Sequence, residues 1–214
     1  MNIALILSGG VGRRFGADLP KQYNKVNGRP VIDYVIEACL NSSLTDKVVV
    51  VCDRSCIEYS PLLQSGRVDI TDNGSERLES LNNGLQYIKN NYDCQKICIF
   101  DAVAPMVYPE LIDNYFRWLD ENDCVITCQK ITGELGNYSF DIMNRNDYYI
   151  TQSPESFNFP LLMERFDMNF PSTELANQLP QDGKRYLNFD FKENFKITYE
   201  HDLFIASEML KHRK

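Results

Sequence analysis

Short apolar runs alternate with amphipathic stretches along the first half of the chain. Residues 3–7 and 47–52 are apolar runs of strand length, and four consecutive valines in the second run indicate burial on both faces of a sheet. Between them, residues 29–40 place apolar side chains at helical spacing, with Pro30 in the first turn. A strand, a helix and a second strand in this order predict a βαβ unit with parallel strands.

A second helix and a further strand follow this unit. Residues 76–91 carry leucine and isoleucine at steps of three and four, which predicts a helix after a turn at 72–75. Residues 96–100 predict a strand that leads directly into Asp101. Ligands of open parallel sheets bind beyond the carboxyl ends of the strands. We therefore expect Asp101 to share a crevice with the glycine turn that follows the first strand.

The second half of the chain has a less regular pattern. Residues 131–152 combine glycine with aromatic residues, which fits either a projecting arm of two strands or a loop over the active site. The other predicted elements are a helix at 109–122, strands at 124–129, 184–191 and 195–198, and a helix at 202–212. The predicted fold class is α/β, a Rossmann-like three-layer sandwich with a mostly parallel central sheet and a projecting β-arm. No repeat or linker is visible, so we expect one domain over residues 1–214, with residues 131–153 as an arm or loop insertion.

Composition and charge restrict the classes of protein to which the chain could belong. Of 214 residues, 43% are hydrophobic and 24% are charged, which is typical of a globular domain. No apolar run approaches the ~20 residues that cross a bilayer, and no basic region precedes an apolar stretch at the start. We therefore expect a cytoplasmic protein with no membrane contact. The net charge of -8 argues against a nucleic-acid partner.

Seven cysteines raise the question of a metal site or of disulfides. Six of them form pairs four residues apart, at Cys52 and Cys56, Cys94 and Cys98, and Cys124 and Cys128. The total is odd, the chain has only two histidines, and the surroundings are apolar. These features favour buried thiols in a reducing compartment.

The turn after the first strand carries residues that are suited to binding phosphate. Gly9, Gly10 and Gly12 allow backbone N–H groups to approach phosphate oxygens, and Arg13 and Arg14 neutralise their charge. A Walker A loop is excluded because no Gly-Lys-Ser/Thr follows, and bulky residues occupy the tail of the dinucleotide fingerprint. We therefore expect this turn to hold a triphosphate.

Five segments match known motifs in order along nearly the whole chain. They are LSGGVGRRFG at 7–16 with PKQ at 20–22; GSERLESLNNGL at 74–85, similar to G-x-x-R-x-x-S-V-x-x-G-L; FDAVAP at 100–105, similar to H-D-A-A-R-P; SPESF at 153–157, similar to T-P-Q-x-F; and NFKITYEHDL at 194–203, similar to N-I-K-I-T-x-P-E-D-L. Together they resemble the cytidylyltransferase branch of the sugar-nucleotide-type nucleotidyltransferases, whose members make CDP-methylerythritol or CDP-ribitol.

The resemblance implies a reaction in which an acceptor phosphate oxygen attacks the α-phosphorus of CTP and pyrophosphate leaves. It implies Arg14, Lys21 and Lys196 as catalytic cations and Asp101 as the ligand of a Mg²⁺ cofactor. The implied contacts of the nucleotide are Leu7, Ser8, Gly9, Gly10, Gly12, Arg13, Gly74, Ser75, Arg77, Ser80 and Ala102. It also implies a homodimer, in which Arg145 of one subunit reaches the acceptor site of its neighbour.

The departures from the family pattern lie on the acceptor side. Ala104 stands where H-D-A-A-R-P has arginine, and Phe100 stands where it has histidine. Loss of a charge-assisted contact to the acceptor phosphate costs about 2 kcal/mol. We therefore expect a different phosphorylated alcohol or polyol as acceptor, such as ribitol 5-phosphate for a capsule or wall polymer.

Three alternatives remain open from the sequence. The first is the 2-C-methyl-D-erythritol 4-phosphate cytidylyltransferase of isoprenoid synthesis, with Ala104 compensated by another residue. The second is a non-catalytic homologue that binds CTP or CMP. The third is an NAD-binding reductase, in which Asp53 at the end of the second strand would contact the ribose; the glycine spacing disfavours it.

Overall fold

A computed structural model describes residues 1–10, 15 and 19–212. Within these ranges the strands are β1 Asn2–Leu7, β2 Lys25–Val26, β3 Arg29–Pro30, β4 Lys47–Cys52, β5 Asp69–Asp72, β6 Lys96–Asp101, β7 Cys124–Lys130, β8 Tyr149–Asn158 and β9 Arg185–Asn188. The α-helices are α1 Val31–Asn41, α2 Pro61–Gln64, α3 Arg77–Asn91, α4 Pro109–Trp118, α5 Phe159–Arg165 and α6 Asp202–Lys211. Short 3₁₀ turns lie at Lys21–Tyr23, Arg54–Tyr59, Arg145–Asp147 and Leu175–Gln178.

The central sheet has the order β5-β4-β1-β6-β8-β7-β9. The pairs that β8 makes with β6 and β7 are antiparallel, and the other pairs in this sheet are parallel. Leu7 pairs with Val51 on one side and with Asp101 on the other, so β1, β4 and β6 end at the same edge. This arrangement confirms the predicted mostly parallel sheet.

Helices cover both faces of the sheet. Ala4 and Ile6 of β1 pack in one apolar cluster with α1 and α4, whereas Ile3 and Leu5 pack in a second cluster with α3 and α5. Burial of alternate residues on opposite faces is what a strand with a side-chain period of two produces. The chain therefore forms the three-layer α/β sandwich that the sequence predicts.

The irregular region differs in detail from its prediction. Residues 128–130 of β7 pair with residues 149–151 of β8, and this two-stranded ribbon lies beyond the last pair between β6 and β8, Ile99 with Glu155. Residues 131–148 between its strands contain no strand in the structure. The ribbon is therefore formed by the ends of two sheet strands rather than by a hairpin within residues 131–152.

The strand predicted at 195–198 is wrong. Ile197 N donates to Val103 O at 2.9 Å, but the next N–H groups, of Thr198 and Tyr199, donate to the carboxylate of Asp202 instead of to a neighbouring strand. A side-chain acceptor thus takes the hydrogen bonds that a strand ladder would need.

The structure also describes the state of the cysteines and the character of the helices. The seven cysteines are free and buried, which fits the interpretation as core thiols. Among the helices in the described part of the chain, none combines the length and apolar character that a membrane span requires.

Candidate active site

A cleft of about 440 Å³ opens at the carboxyl ends of β1 and β6. We call it the first lobe, and its lining is Leu7, Ser8, Gly9, Gly10, Lys21, Gln22, Ser75, Glu76, Arg77, Ser80, Asp101, Ala102, Val103, Lys196 and Thr198. Asp101 and the glycine turn share this cleft, as the topology predicts.

Side chains of the segment that follows the glycine turn form hydrogen bonds with the turn. Gln22 Nε2 donates to Ser8 O at 2.7 Å and to Gly10 O at 3.2 Å. Ser8 Oγ donates to the hydroxyl of Tyr23 at 3.4 Å. These bonds fix the conformation of the turn. Gln22 therefore has a structural role in the site, although the sequence analysis did not assign it there.

Gly9 allows the turn to approach the segment that leads into α3. A Cβ atom at Gly9 would lie 2.5 Å from Cβ of Asn73 and 2.9 Å from Oγ of Ser80. Gly74 N also donates to this Ser80 oxygen at 3.0 Å. Only glycine fits at position 9 without a shift of its neighbours, and the close approach brings the start of α3 to the rim of the first lobe.

Asp101 lies between two cations. Its Oδ2 accepts a hydrogen bond from Lys196 Nζ at 2.5 Å, and its Oδ1 is 3.6 Å from Arg77 Nη2. Burial alone would raise the pKa of this carboxyl group, but Lys196, Arg77 and Lys21 outweigh it and lower the pKa below its ordinary value. Asp101 is therefore ionised at neutral pH.

Hydrogen bonds connect the segment that carries Lys196 to the turn after β1 and to β8. Lys21 Nζ donates to Ile197 O at 2.8 Å, which joins the turn after β1 to this segment. Asn194 Nδ2 donates to Ser153 O at 2.7 Å, and Ser153 Oγ accepts from Asp101 N at 2.8 Å. The lysines and the aspartate are thus positioned through one connected set of hydrogen bonds.

A second lobe of about 440 Å³ adjoins the first. Three residues line both lobes: Arg77, Asp101 and Lys196. The rest of its lining is Ala104, Ile150, Thr151, Gln152, Ser153, Glu155, Thr173, Glu174 and Asn194. Two cavities therefore meet at one aspartate and two cations.

The structure brings most of the predicted site residues together. Those that line the first lobe are Leu7, Ser8, Gly9, Gly10, Lys21, Ser75, Arg77, Ser80, Asp101, Ala102 and Lys196. Gly74 lies beside them through its bond to Ser80. Gly12, Arg13 and Arg14 lie outside the described residues.

Arg145 lines neither lobe within this chain. Its Nη1 donates to Thr132 O at 2.9 Å and lies 3.4 Å from Oε1 of Glu134. The prediction assigned Arg145 to the site of a neighbouring subunit, and it stays a prediction.

Among the residues that line the cleft and were not predicted from the sequence are Gln22, Ser153, Glu155 and Asn194. Gln22 and Asn194 lie within motifs that the sequence displays, so position in a motif could have identified them. Ser153 and Glu155 lie in the motif at 153–157, but they reach the site because β8 runs antiparallel beside β6, and the motif alone does not indicate this pairing.

No group of three or more His, Cys, Asp or Glu side chains is placed to hold a metal ion in the described ranges. Mg²⁺ often binds through one or two carboxylates together with phosphate oxygens of the substrate. The ionised, partly enclosed carboxylate of Asp101 fits this mode of binding.

An open, mostly parallel sheet with a glycine turn and a cationic cleft at its carboxyl edge is typical of α/β proteins that bind nucleotides. A family model described as "IspD: 2-C-methyl-D-erythritol 4-phosphate cytidylyltransferase" matches residues 2–212. The chain belongs to this family, and it is a CTP-dependent cytidylyltransferase.

Curated relatives match over nearly their whole length. A 2-C-methyl-D-erythritol 4-phosphate cytidylyltransferase of Clostridium botulinum is 27% identical over 226 residues, covering 98% of this chain and 97% of its own. A protein of the same name from Phocaeicola vulgatus is 29% identical over 220 residues, with 96% and 98% covered.

Solved structures support the fold. The 4-diphosphocytidyl-2C-methyl-D-erythritol synthase of Anaerococcus prevotii superposes with a TM-score of 0.83 at 19% identity, covering 99% of this chain and 96% of that one. The bifunctional IspDF of Campylobacter jejuni gives a TM-score of 0.79 at 22% identity, covering 95% of this chain and 53% of that one.

Proposed function

We propose that this enzyme transfers CMP from CTP to 2-C-methyl-D-erythritol 4-phosphate and releases pyrophosphate. The observation that carries the proposal is the meeting of two lobes at Arg77, Asp101 and Lys196. A nucleotide in the first lobe and an acceptor in the second would bring their phosphates together at this junction.

The first lobe suits the nucleotide. Backbone N–H groups of Gly9 and Gly10 are proposed to face the triphosphate, and Ser75, Arg77 and Ser80 to contact the nucleoside, together with Leu7, Ser8 and Ala102. In the undescribed part of the turn, Gly12 and Arg13 are proposed to complete these contacts.

Cations drive the proposed chemistry. An acceptor phosphate oxygen attacks the α-phosphorus, and the bond to pyrophosphate breaks, so negative charge leaves the attacking oxygen and develops on the pyrophosphate, and both sides of the phosphorus carry charge that must be stabilised. Lys196 lines the junction of the lobes, and Lys21 lines the first lobe, where its charge acts on Asp101; both lysines are proposed to stabilise the charge around the phosphorus, together with Arg14. No covalent intermediate with the protein is required.

Mg²⁺ is the proposed cofactor, with Asp101 as its protein ligand. When bound, the ion would neutralise phosphate charge and polarise the α-phosphate. Lys196 Nζ donates to the same carboxylate at 2.5 Å, so this lysine lies beside the proposed ion site and would share the neutralisation of phosphate charge there.

The lining of the second lobe and the names of the relatives bear on the identity of the acceptor. Ala104 lines the second lobe, and Arg77 and Lys196 are the cationic side chains in that lining, so we propose that they take over the missing arginine's contact with the acceptor phosphate. The sequence favours a ribitol-type acceptor for polymer synthesis, but the family and the relatives described above bear the name of the methylerythritol enzyme. Their names favour methylerythritol phosphate and give polysaccharide synthesis no support.

Pyrophosphate release with a panel of acceptors tests the proposal. We expect turnover with CTP and 2-C-methyl-D-erythritol 4-phosphate to exceed that with ribitol 5-phosphate by at least about tenfold, since binding discrimination of about 1.4 kcal/mol suffices. Turnover with ribitol 5-phosphate alone would contradict the assigned acceptor. CTP binding without pyrophosphate release from any acceptor would favour a binding protein instead.

A homodimer is also proposed. Tyr138, Phe140 and Ile142 are fully or almost fully exposed, at 104%, 94% and 105%. Three large apolar side chains so close in sequence on a surface are typical of an interaction site. They belong to the same segment as Arg145, so a second copy that covers them would bring this arginine near its partner's cleft.

A further inference from the structure

Two acidic side chains form one wall of the second lobe. Glu155 in β8 is 8% exposed, and Glu174, just before the 3₁₀ turn Leu175–Gln178, lies within hydrogen-bonding reach of it. The Oε1 atom of Glu174 is buried and has no hydrogen-bond partner in the described part of the chain. A buried carboxylate oxygen without a donor is costly, whereas a proton shared between the two carboxyl groups satisfies it.

Arg77 connects this pair to the junction of the lobes. Its Nη2 lies 3.6 Å from Oδ1 of Asp101 and 3.8 Å from Oε1 of Glu155. Both distances exceed the ~2.9 Å of a direct hydrogen bond, so neither carboxyl group holds the guanidinium tightly. An ionised Glu155 would compete with Asp101 for this nitrogen, but a protonated Glu155 leaves Arg77 to Asp101.

We propose that Glu155 donates a hydrogen bond to Glu174, and that this carboxyl pair is a positioning element that keeps Arg77 beside Asp101 where the two lobes meet. The inference rests on the proposed function, because Arg77 is there a contact of the nucleotide. Glu155 acts through Arg77 and not on the reacting atoms.

The surroundings of Glu155 favour the protonated form. The groups that face it are Arg77 from α3, Asp101 and Cys98 from β6, Cys124 from β7, and Glu174, with Lys196 in the same lobe. Burial, and then the charge of Glu174, raise the pKa of Glu155 to about 8, although Arg77 opposes this shift. The pair keeps its proton at neutral pH and loses it as the pH rises through this value.

The pH dependence of turnover tests the pair. The kcat/KM for CTP is measured by pyrophosphate release between about pH 6.5 and about pH 9 for the wild type, for Glu155→Gln and for Glu164→Gln, an exposed control on α5. We expect a fall on the order of tenfold above about pH 8 in the wild type and the control. The fall should be absent in Glu155→Gln, whose amide donates to Glu174 at every pH.

The pH affects CTP, the acceptor and the bound metal ion in the same way in the assays of all three proteins. A difference between their pH profiles therefore reports on Glu155. A Glu155→Gln profile with the same shape as that of the wild type would overturn the proposal. The profile, and not the absolute rate, is the criterion, because a purely structural role for Glu155 would change the rate or the melting temperature without removing one ionisation.

Infrared difference spectra of the ligand-free protein give a second readout that needs no turnover. Between about pH 6.5 and about pH 9, the wild type should lose a protonated-carboxyl C=O band that Glu155→Gln lacks. Identical spectra of the two proteins would overturn the proposal. If the wild type shows this band but releases no pyrophosphate with any acceptor, the carboxyl pair is supported and the proposed function is contradicted.

Discussion

Asp101 holds its charge because cations from distant parts of the chain surround it. The residue is 9% exposed, and Lys196, Arg77 and Lys21 keep the pKa of its carboxyl group low in spite of burial. A lowered pKa means that the contribution of these contacts to stability is complete above the ordinary pKa of aspartate. That contribution is lost as the pH falls through the lower value of the folded state.

Replacing Asp101 by asparagine tests its role. We expect Asp101→Asn to reduce pyrophosphate release from CTP by at least about 100-fold, because the neutral amide neither binds Mg²⁺ well nor balances Lys196. Rates are measured over a Mg²⁺ titration, with Asp182→Asn, at an exposed turn, as the matched control. A rate equal to that of the control would remove Asp101 from the metal role.

Lys21 has both a structural contact, to Ile197 O, and a proposed role in catalysis. Its bond to Ile197 O would contribute about 1 to 2 kcal/mol to stability, whereas charge stabilisation at the phosphates would affect only turnover. We expect Lys21→Ala to lower kcat by about 100-fold or more while the free energy of unfolding falls by at most about 2 kcal/mol. Lys89→Ala on the exposed face of α3 is the control. Activity that falls only in proportion to stability would indicate a structural lysine.

Residues that sit in motifs were the ones that the sequence could predict. Lys21, Asp101 and Lys196 were selected from their positions in motifs, and they meet in one cleft. Ser153 and Glu155 also lie in a motif, SPESF at 153–157, but the motif did not assign them to the site, because their position at the cleft depends on the pairing of β8 with β6. Tertiary pairing, not local pattern, decides which face of such a strand reaches the site.

Elements were predictable where apolar periodicity was strong. β4 has the predicted bounds, and α3 begins one residue after the predicted start. β5, with the sequence DITD, was missed because it is short and its two aspartates disfavour strands. The segment at 195–198 was predicted as a strand from its composition, but Asp202 takes its hydrogen bonds.

Asp202 therefore has a testable role in placing the segment that carries Lys196. Its buried carboxylate accepts hydrogen bonds from Thr198 N at 2.7 Å and from Tyr199 N at 2.8 Å. We expect Asp202→Ala to reduce the free energy of unfolding by about 2 kcal/mol and to lower kcat/KM more than Glu200→Ala, an exposed neighbour, because two charge-assisted bonds are lost. Urea unfolding and steady-state rates measure both effects. Unchanged values would show that other contacts suffice to hold the segment.

At the scale of the whole molecule, the apolar side chains near Phe140 predict self-association. We expect the protein to sediment as a dimer and the double variant Phe140→Ser with Ile142→Ser to sediment as a monomer at the same concentration, because the exposed apolar surface is removed. Phe204→Ser is the control, since Phe204 is 72% exposed on α6, outside this segment. A wild type that sediments as a monomer at every concentration would contradict the dimer.

The hydrogen bond between Lys21 and Ile197 joins residues 176 positions apart, and that between Lys196 and Asp101 spans 95 positions. During synthesis, the amino-terminal strands leave the ribosome long before the segment that closes their cleft. The nascent sheet can therefore form, but its nucleotide cleft lacks a wall until residues 194–199 have emerged and docked. A nucleotide that needs the complete cleft can therefore assist folding only after this segment has docked.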